Sequence, residues 1–137
     1  MKFKIRVWLF AVFATLLLSA NIAWAQDNTT RLRGPAATAR GFIGGESHDS
    51  YLIHARKGQT LTVHLSWRRH HDKILGDNKA EFWVGDLPDF DGEGEVKFGK
   101  RFANGKGWSG RLPKTADYYI YVTAHPSARY TLRVTVK

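Results

Sequence analysis

The sequence predicts an all-β domain, an antiparallel β-sandwich of seven to eight short strands. Three observations carry that prediction. Beyond residue 37, apolar side chains recur at every second position, and no stretch keeps a helical repeat. Short segments rich in Gly, Pro, Asn and Asp punctuate the alternating runs. Each run sets an apolar face against a polar one, as in a sheet packed on one side and wet on the other.

The chain opens on Lys2, Lys4 and Arg6, followed by an almost wholly apolar run from residue 7 to 20 and the small-residue pattern Ala23-Trp24-Ala25. Positive, apolar, then A-x-A is the pattern of a cleaved secretory signal, so residues 1–25 read as a signal peptide. The mature chain would begin at Gln26, be periplasmic or secreted, and keep no membrane span. Residues 26–37 are polar, contain Gly34-Pro35, and read as a loose lead-in to a single domain over residues 38–137. A domain of this size buries enough apolar surface to fold without staples. It has to, because the chain has no cysteine.

The elements follow in order. Residues 38–43 form a short strand, broken by Gly44-Gly45. Residues 49–55 put Tyr51, Ile53 and Ala55 on one face. The turn "RKGQ" leads to residues 60–67, where Leu61, Val63, Leu65 and Trp67 alternate with Thr60, Thr62, His64 and Ser66. The two segments read as a hairpin. Residues 68–79 are polar and irregular, residues 80–84 a strand, and residues 86–95 an acidic, Gly-rich loop. A short strand near residues 96–98 and another over 109–112 precede a final hairpin of residues 117–124 and 129–136, joined by "HPSA".

Parity sorts the tyrosines of "DYYIYV". Tyr118 shares a face with Ile120 and Val122 and belongs to the core; Tyr119 and Tyr121 point away from it. A hairpin pairing of residue 122 with 130 sets Tyr119 opposite Arg133 and Tyr121 opposite Thr131. A slip of two sets Tyr121 opposite Arg133. Either register gives a guanidinium beside an outward ring, which serves as a stiffening ladder or as a recognition face for a sugar or a protein groove.

Charge bounds the partners. The chain carries +9, and the three basic residues of the export segment leave +6 on the remainder. A basic exported domain is drawn to anionic partners such as an acidic protein cleft or a cell-wall glycan. The basic residues are scattered, with Arg68-Arg69 the one arginine doublet after residue 25, which argues against nucleic acid.

Two blocks, "SYLIHARKGQTLTVHLSW" (50–67) and "SGRLPKTADYYIYV…ARYTLRVTV" (109–136), resemble the bacterial pre-peptidase C-terminal type of β-sandwich and its small periplasmic relatives, the inhibitors of g-type lysozyme. The match consists of a strand, A-[RK]-K-G-Q and an alternating strand, then "LP" and two Y-x-[IL]-x-V strands. The resemblance implies a non-catalytic sandwich that enters a lysozyme cleft through loops, with basic residues among the contacts. At the corresponding final turn this chain offers His125 and Arg129. The binding residues expected are therefore Tyr119, Tyr121, Arg133, His125 and Arg129. The alternative is a wall-binding module that uses exposed aromatics and positive charge.

No residue pattern calls for catalysis or a cofactor. In Ser47-His48-Asp49, neighbours on an extended chain point to opposite faces and cannot form a triad. "GWSG" (107–110) is half of a nucleophile elbow. In "DFDGEGE", Asp89, Asp91 and Glu93 fall at the first, third and fifth positions of a calcium loop, but Lys100 occupies the twelfth, where a bidentate Glu is needed. His70-His71-Asp72 lacks a second ligand motif.

Overall fold

The computed structural model describes residues 29–137; the signal segment read over residues 1–25 and the first residues of the lead-in lie outside the described residues. Two sheets face each other. One holds β1 (Thr29–Leu32), β3 (His48–Ala55), β10 (Ala116–His125) and β7 (Lys79–Gly85), in the order β1-β3-β10-β7. The other holds β2 (Ala36–Gly44), β11 (Ser127–Val136), β4 (Thr60–Trp67), β9 (Gly107–Arg111) and β8 (Lys100–Phe102), in the order β2-β11-β4-β9-β8. A small separate ladder joins β5 (His71–Asp72) to β6 (Gly76–Asp77).

The alternation fills the space between the sheets. Tyr51 and Ile53 from β3, Leu61, Val63 and Leu65 from β4, Phe82 and Val84 from β7, Tyr118, Ile120 and Val122 from β10, and Leu132 and Val134 from β11 are all buried. Tyr118 lies in the core as its parity demands, and its hydroxyl donates to the Lys114 carbonyl at 2.6 Å, so the phenol is not stranded.

Both expected hairpins are instead crossings between sheets. β3 and β4 are consecutive but belong to opposite sheets, as are β10 and β11. β10 pairs with β3 and β7; β11 pairs with β2 and β4. Parity cannot tell the two arrangements apart. A hairpin and a corner both leave two apolar faces pointing at one core. The first corner is held by the Gly58 N–H on the Leu112 carbonyl (2.8 Å) and by the Arg56 N–H on Gln59 Oε1 (2.7 Å); Gly58 takes φ +87°. The second turns at Pro126, whose carbonyl accepts the Gly45 N–H at 3.1 Å.

Three further segments differ from expectation. The lead-in contains β1 and the start of β2: β1 runs parallel to β3, with Leu32 packed against the core. Residues 96–98 are not a strand. The Val96 N–H bonds the Val84 carbonyl at 2.9 Å, and Phe98 packs edge-on against Trp108 and Tyr118, while the neighbouring strand falls at Lys100–Phe102. The irregular stretch 68–79 contains the β5–β6 arm.

Near one end of the sandwich a polar clasp ties the sheets together. The Tyr130 hydroxyl of β11 donates to the Asp49 carboxylate of β3 and meets the Tyr51 hydroxyl at 2.5 Å. The Tyr130 ring lies over Gly41, where an added Cβ would come within 2.6 Å of the phenol oxygen. Burial, reinforced by the hydrogen bonds to Asp49 and Tyr51, pushes the Tyr130 phenol far above its ordinary value. Tyr51 is pushed the same way, mainly by burial.

A phenol whose proton is held more tightly when folded contributes stability that is complete below the unfolded tyrosine value and is lost as pH rises beyond it. Urea denaturation should therefore show stability that falls above pH ~10. Tyr130→Phe should cost about 1–3 kcal/mol at neutral pH, by leaving Asp49 and Tyr51 short of a partner, and should flatten the alkaline fall. An alkaline fall unchanged in the variant would place its origin elsewhere.

Candidate binding site

The crossings decide which side chains share an outer face. On the five-stranded sheet the outward positions are filled by Thr38, Arg40 and Phe42 of β2, Arg129, Thr131, Arg133 and Thr135 of β11, Thr62, His64 and Ser66 of β4, Ser109 of β9 and Lys100 of β8. None of these is a carboxylate. Arg133 sits between Thr38 and His64; Arg129 sits opposite Phe42, its guanidinium 5.4 Å from the ring centre. None of the ion pairs among the described residues involves Arg40, Arg68, Arg129 or Arg133.

At the end of this face, Arg40, Arg68 and Arg129 line an open depression of about 350 Å³ together with Ser66, Trp67 and Thr131. Three arginines and two hydroxyl side chains line one hollow with no acid among its lining residues, a donor set whose chemistry suits a carboxylate or another oxyanion. Arg129 was expected from sequence. Arg40 and Arg68 were not, because they meet Arg129 only through the pairing of β2, β11 and the end of β4. The doublet Arg68-Arg69 at the end of the best alternating strand was the available signal.

The expected set of Tyr119, Tyr121 and Arg133 is split. Tyr119 lies opposite Leu52 and Gly85, and Tyr121 opposite Ser50 and Trp83, all on the four-stranded sheet. Arg133 is on the outer face of the other sheet, so no arginine–tyrosine ladder forms. His125, the last residue of β10, is exposed opposite Lys79, at the same end as Arg129 but on the other sheet.

Tyr121 is not an open platform. Its ring stacks on His48 (centroids 4.5 Å, planes at 24°) and meets Trp83 at 6.3 Å and the edge of Phe90 at 6.4 Å. The acidic loop folds down over it. A Cβ on Gly92 would lie 2.7 Å from the Tyr121 ring, and one on Gly85 would lie 2.2 Å from Phe90. Glu95 pins the loop by accepting from Arg101 (2.6 Å) and the Val84 N–H (3.2 Å), and Asp86 pairs with Lys114 at 3.1 Å. Burial, then the nearby Asp91 charge, raises the Tyr121 phenol above its ordinary value.

The remaining sequence candidates disperse. Among the described residues no group of three or more His, Cys, Asp or Glu side chains is placed to hold a metal, and Asp89, Asp91 and Glu93 do not converge. Asp91 instead accepts the Glu93 N–H at 3.0 Å. Ser47 bonds the Gly44 backbone, His48 stacks on Tyr121 and Asp49 joins the clasp, so the three consecutive residues go three ways. Ser109 of "GWSG" pairs with Thr62 at 3.0 Å. His54 and Asp117, 2.9 Å apart, share an exposed face with Arg31 but with no nucleophile bonded to the imidazole. Among the described residues no helix is long and apolar enough to cross a membrane.

Comparison with solved structures places this architecture. The chain matches Aeromonas hydrophila PliG, a periplasmic lysozyme inhibitor of g-type lysozyme, with a TM-score of 0.62 and 21% identity over 80% of this chain and 96% of that one. The fold is that of the periplasmic inhibitors of g-type lysozyme. Salmonella Typhimurium PliG matches at TM-score 0.56 and 20% identity, over 80% and 99% of the two chains. A mutant of the Escherichia coli inhibitor matches at 0.52 and 18%, over 80% and 97%. No family model and no curated protein matches the chain. At these identities the likeness to the inhibitors is one of fold.

The packing of the acidic loop on Tyr121 is directly testable. Tyr121→Ala should cost about 1–3 kcal/mol for a half-buried ring and free the loop. Limited proteolysis should then cut within residues 86–95 in the variant and spare the parent protein. Equal resistance in both would detach the loop from the tyrosine.

Proposed function

We propose that this chain is an exported, non-catalytic binding protein that blocks a g-type lysozyme-like cell-wall hydrolase by docking its basic end on the enzyme's acidic cleft. In this reading residues 1–25 direct export and are removed, and the protein works in the periplasm. The observation that carries the reading is the acid-free depression lined by Arg40, Arg68 and Arg129. Glycoside hydrolases work through carboxylates in a cleft. An unpaired guanidinium brought to such a carboxylate makes a charge-assisted, bidentate pair and removes the group from catalysis.

The fold shared with proteins that are themselves inhibitors of g-type lysozyme supports the choice of partner. Arg133 and Lys100 extend positive charge along the same face and would speed encounter with a negative target, while His125 is exposed on the other sheet. Tyr119 and Tyr121 lie on the other sheet, Tyr121 under the acidic loop, and contribute to folding in this account and not to the contact.

The test is clearing of a cell-wall suspension by a g-type lysozyme with increasing amounts of the chain from Gln26 onward. Lysis should slow in a dose-dependent, salt-sensitive manner. Changing Arg40 and Arg129 together to Glu should weaken inhibition by about 30-fold or more, since truncated or reversed charge pairs cost several kcal/mol at such contacts. Unimpeded lysis at excess protein would reject the proposal.

A further inference from the structure

The arm between Arg68 and Lys79 projects from the basic end and is built rigidly. At its tip, Asp72 Oδ1 accepts the N–H groups of Ile74 (2.8 Å) and Leu75 (2.9 Å), the side-chain turn that Asp favours. These bonds hold the Asp72 carboxyl below the usual carboxylate range. Gly76 takes φ +81°, which closes the turn, and His71 meets Asp77 across the two-rung ladder at 2.7 Å.

The base is locked by Asn78, the one buried polar side chain among the described residues. Its amide donates to the carbonyls of Arg68 (2.9 Å) and Ser127 (3.2 Å), and its oxygen accepts the His70 N–H at 2.7 Å. The Trp67 indole N–H bonds the Asn78 carbonyl at 3.3 Å.

This bracing holds two aliphatic side chains in water. Ile74 is 92% exposed and Leu75 55% exposed, in a segment otherwise polar. Among the described residues, neither is buried against the fold. Exposed aliphatics on a fixed tip are a contact waiting for an apolar partner.

The order of groups along the arm says which partner. Ile74 and Leu75 lead, with Lys73 beside them; Arg68 and Arg69 stand at the base, several residues back along the chain. Both carboxylates on the arm stay charged, Asp72 bonded to the turn backbone and Asp77 to His71, and Arg68, Arg69 and Lys73 outnumber them. An anionic bilayer presents the same order by depth: an acyl boundary some 5–10 Å beneath a layer of phosphates, into which apolar side chains dip while cations stay above. Lysine beside the tip reaches back to the phosphates along its own stem.

We propose that the arm anchors the protein reversibly to an anionic phospholipid surface, Ile74 and Leu75 entering the acyl boundary while Lys73, Arg68 and Arg69 meet the headgroup phosphates. This anchor shares Arg68 with the hydrolase reading but does not require a bound enzyme. It would hold the protein at a membrane surface whether or not the Arg40–Arg68–Arg129 depression binds an enzyme.

Both sheets and the core are built within residues 29–137, so the chain from Gln26 onward is the protein to test. It is mixed with phosphatidylethanolamine–phosphatidylglycerol vesicles and, separately, with phosphatidylcholine vesicles, and bound protein is separated by flotation. Binding to the anionic vesicles only, reduced by salt, is the expected result.

Ile74→Asp with Leu75→Asp should lower the partition by about tenfold or more while leaving the melting curve unchanged, because neither side chain packs inside the fold. Arg69→Glu should weaken binding and its salt dependence together. Three outcomes would overturn the proposal. One is failure of the parent protein to float with anionic vesicles. The second is equal flotation of the double aspartate variant, which would reduce the contact to charge alone. The third is absence of vesicle binding while the aspartate variant loses lysozyme inhibition, which would assign the tip to a protein cleft.

Discussion

The long strands of this molecule turn one face to a single core, and the consecutive pairs β3–β4 and β10–β11 meet that requirement by crossing it rather than by folding back as β8–β9 does. β3 leads across to β4, and β10 leads across to β11. This constraint distributes the surface. Because β11 leaves β10 at Pro126 and inserts between β2 and β4, Arg129 and Arg133 join Arg40 on one outer face and part company with Tyr119 and Tyr121. The clasp of Tyr130, Tyr51 and Asp49 sits near that crossing and fixes the two sheets to each other by hydrogen bonds in a place where each hydroxyl, if left single, would destabilise the fold.

Charge segregates along the same division. Among the described residues, Arg40, Arg68, Arg129 and Arg133, which make no ion pair, collect on the outside of the five-stranded sheet and at its end. The acidic loop over residues 86–95 is drawn down on the four-stranded sheet by Phe90 on Gly85 and by Glu95 on the Val84 N–H. Two outer faces thus acquire different chemistry from one modest net charge. One face is polar, cationic and open. The other is aromatic and partly covered. A binding partner with carboxylates has reason to approach only the first.

Much of the fold was legible in the sequence. The run at residues 60–67 appears over the same residues as β4, and Tyr118 is buried while its neighbours face outward, because a period of two commits each side chain to a face wherever one side is core. Partnership was not legible. Alternation states which face is inward but not which strand lies alongside, so the expected Tyr119–Arg133 pair placed correct faces in the wrong sheet. Local signals failed for a related reason at β1: "TTRL" has no alternation to speak of and becomes a strand through β3 beside it. The arm was hidden in a polar segment, where Ile74-Leu75 is the single apolar pair and Asp72 the residue that turns it outward.

Residues 119 and 133 lie on opposite outer faces of two stacked sheets. The chain has no cysteine, so spin labels placed on Tyr119→Cys and Arg133→Cys report on those positions alone. With sheets ~10 Å apart and both labels pointing away from the core, pulsed dipolar spectroscopy should return a separation of roughly 20 Å or more. Adjacent strands of one hairpin would bring the labels within about 5–8 Å, giving strong dipolar broadening in the continuous-wave spectrum, and that result would contradict the crossing and the basic face built on it.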